Sequence, residues 1–296
     1  MITYRSLPGS LLLLALTASM VSAQTAFDSS KAFEHLRQQV AIGPRPSGSA
    51  ANVKNRDYIK AQMKALGITT TEQAFEGVTP LGPVKMVNLI ATIPGKSPDR
   101  IVLASHFDTK LFRNMRFVGA SDGASSTAAL IELGRVIKAR GALPFTIELL
   151  FLDGEEAVIE WQGDDNTYGS RHYVEAAKKN GSLKSLRALI LLDMIGDRNL
   201  TIRRESNSTR WLTDIVWGAA KKLGHRAFMD EETTVEDDHI PFVKAGVPSL
   251  DIIDLDYPQW HTPQDTIDAI SARSIQIVGD VVVAALPQIE ARLLKN

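Results

Sequence analysis

The sequence predicts an α/β protein, a three-layer α/β/α domain built on a central mixed, mostly parallel sheet. Three observations carry this. Short apolar runs such as residues 101–104 and 189–192 have the composition of strands buried on both faces. Between them lie segments whose apolar residues recur three and four apart, the spacing of one helical face. Several of the apolar runs end in acidic or histidine residues, and α/β sheets place their sites at the carboxyl ends of strands.

The elements follow in order. Arg5, the apolar residues 11–16 and the small residues Val21-Ser22-Ala23 form a positive region, an apolar core and a small-x-small cleavage site. That pattern predicts a signal peptide over residues 1–23 and export to the periplasm or beyond. The run is shorter than the roughly 20 residues a spanning helix needs, so no stable membrane insertion is expected after cleavage. An uncleaved N-terminal anchor is the alternative. Residues 24–296 are expected to form a single catalytic domain.

Phe33, Leu36 and Val40 predict a helix over 29–42, broken by Gly43-Pro44-Arg45-Pro46-Ser47-Gly48. Ile59, Met63 and Leu66 predict a second helix over 50–66, with Gly67 as its stop. Residues 69–75 and 85–93 read as strands, the latter ending at Pro94-Gly95, and 101–104 as a buried one. Leu130, Leu133 and Ile137 mark a helix over 125–139, followed by a strand over 145–152. The run 189–192 is a further buried strand, 208–223 a helix, and Ile252-Ile253 the centre of a last short strand. Ile275, Val278 and Val282 mark a C-terminal helix.

Composition narrows the chemistry. The 296 residues are 44% hydrophobic and 23% charged, within the range of ordinary globular chains. Lys+Arg is 33 against 34 Asp+Glu, a net charge of -1, so no overall basicity argues for nucleic acid or an anionic membrane. Cysteine is absent, which excludes disulfide scaffolds, thiolate zinc sites, iron–sulfur centres and a cysteine nucleophile. Any metal must be held by His, Asp and Glu.

The residues that carry chemistry come in a fixed order. Residues 101–104 run into Ser105-His106-Phe107-Asp108, where a two-residue spacing on a strand puts His106 and Asp108 on one side. Asp122-Gly123 precedes a helix, Asp153-Gly154-Glu155-Glu156 follows a strand, Asp193 ends another, and Trp260-His261-Thr262 comes near the C-terminus. Alone, each has a bland reading: a capping Asp, a structural His, a solvated pair of glutamates. Together they form an oxygen-rich set with imidazole, which suits zinc. Buried glutamates at a strand end also cost several kcal/mol unless a metal or a partner compensates.

The order His106-x-Asp108, Asp122, Glu155-Glu156, Asp193 and His261 resembles the co-catalytic zinc aminopeptidase family. It is most similar to the glutaminyl-peptide cyclotransferase branch, especially the animal type, across roughly residues 30–290. Trp161, the stretch Tyr168-Gly169-Ser170-Arg171-His172, the stretch Asp237-Asp238-His239-Ile240-Pro241-Phe242 and Trp260 carry that closer likeness. The resemblance implies a zinc-exopeptidase-like fold and conversion of N-terminal glutamine of peptides or proteins to pyroglutamate, with ammonia released. It implies one zinc held by Asp122, Glu156 and His261, and Glu155 as general acid/base. Asp193 and Asp237 would be a hydrogen-bonded acidic pair beside Glu155, and Trp161 and Trp260 the walls for the Gln side chain.

Three departures keep a second reading open. Ser125-Ser126 looks more like the aminopeptidases, Asp251 stands where animal cyclases usually carry a histidine, and their disulfide pair is missing. A di-zinc aminopeptidase would use His106 and Asp193 for a second metal, with Glu155 as base. A non-catalytic binding module of the same fold is the third reading. His35 and His225 read as surface residues, His172 as a packing residue, and Trp211 and Trp217 as unrelated to a site.

Overall fold

The computed structural model describes residues 26–295. The segment read as a signal peptide, residues 1–23, lies outside the described residues. Two helices open the fold, α1 (Ser29–Ile42) and α2 (Ala50–Ala65). Asp28 and Ser49 cap their first turns, accepting from the Ser30 and Asn52 N–H groups. A hairpin of β1 (Thr69–Thr79) and β2 (Gly82–Ile93) follows, then β3 (Ser97–His106), α3 (Ala124–Ala139) and β4 (Phe145–Leu152). Next come α4 (Tyr168–Lys179), β5 (Leu186–Asp193), β6 (Ile202–Glu205), α5 (Arg210–Leu223) and β7 (Phe228–Thr233). The described chain ends with α6 (His239–Lys244), β8 (Ser249–Ile253) and α7 (Ala272–Leu293).

The main sheet has the order β1-β2-β4-β3-β5-β8. Strands β4, β3, β5 and β8 are mutually parallel, and the β1–β2 hairpin adds an antiparallel edge. The pleat sorts each parallel strand between two cores. Ile101 and Leu103, Ile147 and Leu149, and Ile190 and Leu192 face one core with α1, α2, α3, α5 and α7. Val102 and Ala104, Leu150 and Leu152, and Leu189 and Leu191 face the other, under α4 and α6. Such two-sided burial is why these runs read as continuous apolar sequence. The helix α7 is long and apolar enough to cross a membrane by length and composition, yet Ile275, Val278, Val282 and Ile289 are buried in the first core.

The expected strands and helices are present, with shifted ends: β1 runs on to Thr79 and β3 begins at Ser97. The small parallel pair β6–β7 was not expected, because β7 is mostly exposed and polar and lacks a strand's alternation. The surface reading of His35 changes, while Trp211 and Trp217 stand away from the cavity, as read. His35 is half-buried and bonds to the Tyr58 hydroxyl at 2.8 Å. Trp217 is buried and donates to the Met229 carbonyl at 2.6 Å, while Trp211 packs against the same core.

Candidate active site

The parallel strands deliver the acidic residues to one end of the sheet. His106 pairs in register with Leu152, directly before Asp153, and Asp193 pairs with Ile253. Between β3 and α3 the chain turns through Asp122-Gly123. Gly123 has φ 82, and a Cβ there would lie 2.8 Å from the Asp108 carbonyl oxygen and 3.0 Å from His106 Cε1. Only glycine lets the Asp122 turn close on His106. The turn is fixed from a distance by Asp265, whose carboxylate accepts the Ser121 and Asp122 N–H groups at 2.8 and 3.2 Å.

Two groups of ligand atoms result, sharing Asp122. In the first, His261 Nε2 lies 3.3 Å from Asp122 Oδ2 and 3.3 Å from Glu156 Oε2. Both oxygens are buried and have no aligned hydrogen-bond donor. In the second, His106 Nε2 lies 3.1 Å from Asp193 Oδ1 and 3.3 Å from Asp122 Oδ1. Buried carboxylate oxygens left without partners are costly, so the Asp/Glu/His set fits a bound cation, and its chemistry fits zinc. Asp108 holds the adjoining loop: its two oxygens accept the Glu155 and Glu156 N–H groups at 3.2 and 3.3 Å. It is therefore a backbone anchor outside both ligand groups, and β3 ends at His106, before alternation reaches it.

Charge is concentrated here. Burial pushes the Glu155 carboxyl well above its ordinary range; His106 opposes the shift, and Glu156, Asp237 and Asp238 add to it. Burial and Asp122 raise Glu156 to about 7. Burial would raise Asp122 too, but its contacts with His106 and His261 outweigh that and hold it low. Burial alone would lower His261, yet Asp122 and Glu156 bring it to about 10.

Asp122, Glu155, Glu156, Asp193 and His261 line a cavity of about 740 Å³ with Trp161, Met194, Asp237 and Trp260. Trp260 stacks on His261 with ring centroids 4.4 Å apart, and Phe112 and Phe117 meet the imidazole edge-on at 5.6 and 5.7 Å. Trp161 rides on a loop whose Val158, Ile159 and Glu160 N–H groups converge on the Asp165 carboxylate. Both tryptophans stay partly exposed, at 38% and 48%, as pocket walls open to a ligand would. Among the described residues, three non-glycine residues have positive φ: Thr167 (45°), Met194 (48°) and His261 (53°). His261 and Met194 line the cavity, and the Thr167 N–H donates to the Glu155 carbonyl, so the strained backbone gathers at the site.

Asp193 and Asp237 share no hydrogen bond and act on each other only as like charges. Asp193 Oδ1 is engaged by His106 Nε2 and the Met194 N–H, while Asp237 Oδ1 accepts the Asp238 N–H. Burial and then Asp193 raise Asp237 to about 6. Deeper still, Glu205 Oε2 lies 3.1 Å from His239 Nε2, and His239 Nδ1 lies 3.6 Å from Asp251 Oδ2. Burial, followed by Asp237, pushes Asp251 well up.

Arg45 was read only as part of a chain break, and the structure gives it a larger role. It is fully buried, and its guanidinium donates to the carbonyls of Gln39, Gly43, Val118 and Gly119. It thereby ties the N-terminal helical segment to the loop that leads to Asp122. Arg45 and Asp265 were not singled out in sequence because the contacts that tie them to the Asp122 loop span 73 to 144 positions.

Residues 88–286 match the sequence profile of Peptidase family M28. A mouse (Mus musculus) protein named glutaminyl-peptide cyclotransferase-like protein is 33% identical in an alignment of 254 residues that covers 75% of this chain and 66% of that protein. Just under two thirds of that relative's length is thus spanned. A glutaminyl cyclase from an Acidobacteriales bacterium superposes with a TM-score of 0.86 at 42% identity, covering 90% of this chain and 96% of its own. A structure described as a leucine aminopeptidase precursor, from Bacteroides thetaiotaomicron VPI-5482, superposes with a TM-score of 0.80 at 29% identity, covering 88% and 97%. With a zinc-fitting carboxylate and imidazole set at the strand ends of such a sheet, and a profile match across most of its length, the chain belongs to peptidase family M28.

Proposed function

We propose that residues 24–296 form one catalytic domain, a zinc-dependent glutaminyl-peptide cyclotransferase acting on peptide or protein N-termini that bear glutamine. The observation that carries this is the buried Glu155 at the floor of a cavity walled by Trp161 and Trp260, beside the unpartnered oxygens of Asp122 and Glu156. The resemblance to named glutaminyl cyclases in sequence and in structure supports it.

Asp122, Glu156 and His261 would hold the zinc, which when bound supplies Lewis-acid polarisation of the γ-carbonyl. The remaining work falls to the chain. The new bond joins the α-nitrogen to the side-chain amide carbon, and the bond from that carbon to the amide nitrogen breaks. Glu155 accepts the proton that the α-amine loses and returns it to the departing nitrogen, which leaves as ammonia. A raised proton affinity suits both halves of that transfer, and burial with the nearby Glu156, Asp237 and Asp238 provides it. Trp161 and Trp260 hold the side chain folded back on its own amine, and an intramolecular attack depends chiefly on such positioning. Neither indole offers a rival nucleophile.

A second reading, a di-zinc aminopeptidase, is favoured by the convergence of His106, Asp122 and Asp193. One experiment separates the two. The full chain, loaded with zinc, is incubated with a Gln-initiated peptide and followed by mass spectrometry. Cyclisation removes the mass of ammonia; loss of a whole residue would establish the peptidase instead. Export by the N-terminal segment is part of the same proposal, and N-terminal sequencing of secreted protein tests it.

A further inference from the structure

The stretch Tyr168-Gly169-Ser170-Arg171-His172 carries much of the closer likeness in sequence, yet no step proposed above uses it. We infer that Asp165, braced by Tyr168 and Arg171 of that stretch, is the positioning residue that sets Trp161 as a wall of the substrate cavity. That role rests on the cavity being the substrate site, as proposed above.

Trp161 needs support from outside its own packing. It lines the 740 Å³ cavity on one side and a second cavity of about 380 Å³ on the other, and Glu236 and Asp237 also line both. Its residue is 38% exposed, and no ring among the described residues stacks on it, whereas Trp260 stacks on His261. A side chain with open space on two sides lacks the close packing that locks core side chains. What fixes the indole is the backbone from which it hangs.

That backbone, between Glu155 and Tyr168, forms no helix or strand. It is closed at its base, where the Thr167 N–H donates to the Glu155 carbonyl at 2.8 Å and the Tyr168 N–H to the Gly154 carbonyl at 2.7 Å. Asp165 is its hub. Oδ1 accepts the Val158 N–H and the Tyr168 hydroxyl at 2.8 and 2.7 Å. Oδ2 accepts the Ile159 and Glu160 N–H groups at 2.8 and 3.1 Å. The three N–H groups belong to the residues directly before Trp161. Burial would raise the carboxyl, but the Tyr168 hydroxyl and these N–H groups outweigh it and hold it below its ordinary range. Arg171 secures the returning limb. Its guanidinium donates to the Asp164 and Asn166 carbonyls at 2.6 and 2.8 Å and lies over the Tyr168 ring. Asparagine at 165 has a single acceptor oxygen, so its NH₂ group must face one pair of these donors. The segment that carries Trp161 is then released.

A double-mutant cycle on the full, zinc-loaded chain with a Gln-initiated peptide tests this. Asp165→Asn should keep its zinc and lower kcat/KM about 100-fold, the scale of loss from a misplacement of about 1 Å. Trp161→Ala should lower kcat/KM as well. Since Asp165 acts through Trp161, Asp165→Asn should cost little more once Trp161 is gone, whereas an independent structural effect would add in full. A second readout needs no turnover. The fluorescence that Trp161→Phe removes should be quenched more steeply by acrylamide in Asp165→Asn than in the parent. Tyr168→Phe, which removes one donor of the four, should show the same pattern at smaller amplitude and serves if Asp165→Asn does not fold. The inference is overturned if kcat/KM stays near the parent value, if the loss is the same with and without Trp161, or if quenching of Trp161 is unchanged. A wild-type chain that does not cyclise the peptide would instead sink the function proposed above, and the quenching measurement would still decide whether Asp165 places Trp161.

Discussion

Replacing Asp108 by asparagine tests the claim that Glu155 and Glu156 are positioned by a residue outside both candidate ligand groups. Asp108 is buried and receives the Glu155 and Glu156 N–H groups on its two oxygens. Asparagine has the same shape but one acceptor oxygen, so its NH₂ group must face one of those N–H groups. A hydrogen bond to a charged acceptor contributes about 1.5–3 kcal/mol, and a stranded buried donor costs about 1–3 kcal/mol. The two overlap, giving a destabilisation of about 2–4 kcal/mol. For a domain of this size that lowers the melting temperature by roughly 5–15 °C. Displacing Glu155 by about 1 Å should also cost about 100-fold in turnover. Thermal melts and steady-state kinetics on the zinc-loaded protein give both numbers. A variant that melts within about 2 °C of the parent, with turnover within about two-fold, would refute the anchoring role.

Glu155→Gln should retain zinc and lose about 10²–10⁴-fold in turnover, the span ascribed to a positioned acid/base; near-normal activity would remove Glu155 from that role. Gly123→Ala forces a side chain into φ 82 and against the Asp108 carbonyl and His106, so it should destabilise by about 1–3 kcal/mol and weaken zinc binding, measured by melting and by chelator competition. The metal-free protein should lose stability as pH rises from about 4 to about 7. Burial leads the causes that raise Glu156 to about 7, Asp237 to about 6 and Asp254 to about 7. The folded state then holds protons that the unfolded chain has released near pH 4, and the stability these groups give is lost as pH climbs through their folded values. Melts of chelator-treated protein between pH 4 and 8 check this, and a rising melting temperature would contradict it.

The layers of the fold were legible because residues 101–104, 145–152 and 189–192 are buried on both faces and so lack polar alternation. The acids and histidines of the candidate site were legible because the carboxyl end of each parallel strand is where the chain must leave the core, and a charge there stands out. Asp108 showed its presence but not its work, since its partners are backbone N–H groups 47 and 48 positions on. The pair β6–β7 escaped because Arg203, Arg204 and the acids of β7 give it no apolar face along the chain. Glu205 escaped for a different reason: it lies on β6, away from the His239 stretch and from Asp251, and only the fold brings the three together.

Arg45 has a consequence for how the protein is made. Its guanidinium joins residues 39–45 to Val118, 73 positions away, and the turn bearing Asp122 is also held by Asp265, 144 positions from Ser121. Contacts of such separation carry a large loop-closure cost and form late. On the ribosome, the Asp122 turn cannot settle until residue 265 has emerged and the N-terminal helices have docked. A nascent chain therefore offers zinc only scattered side chains, and the assembled ligand set is a property of the finished fold. Zinc held by that set would favour the finished fold over every earlier state by mass action, so metal supply during synthesis should govern how much of the chain completes folding.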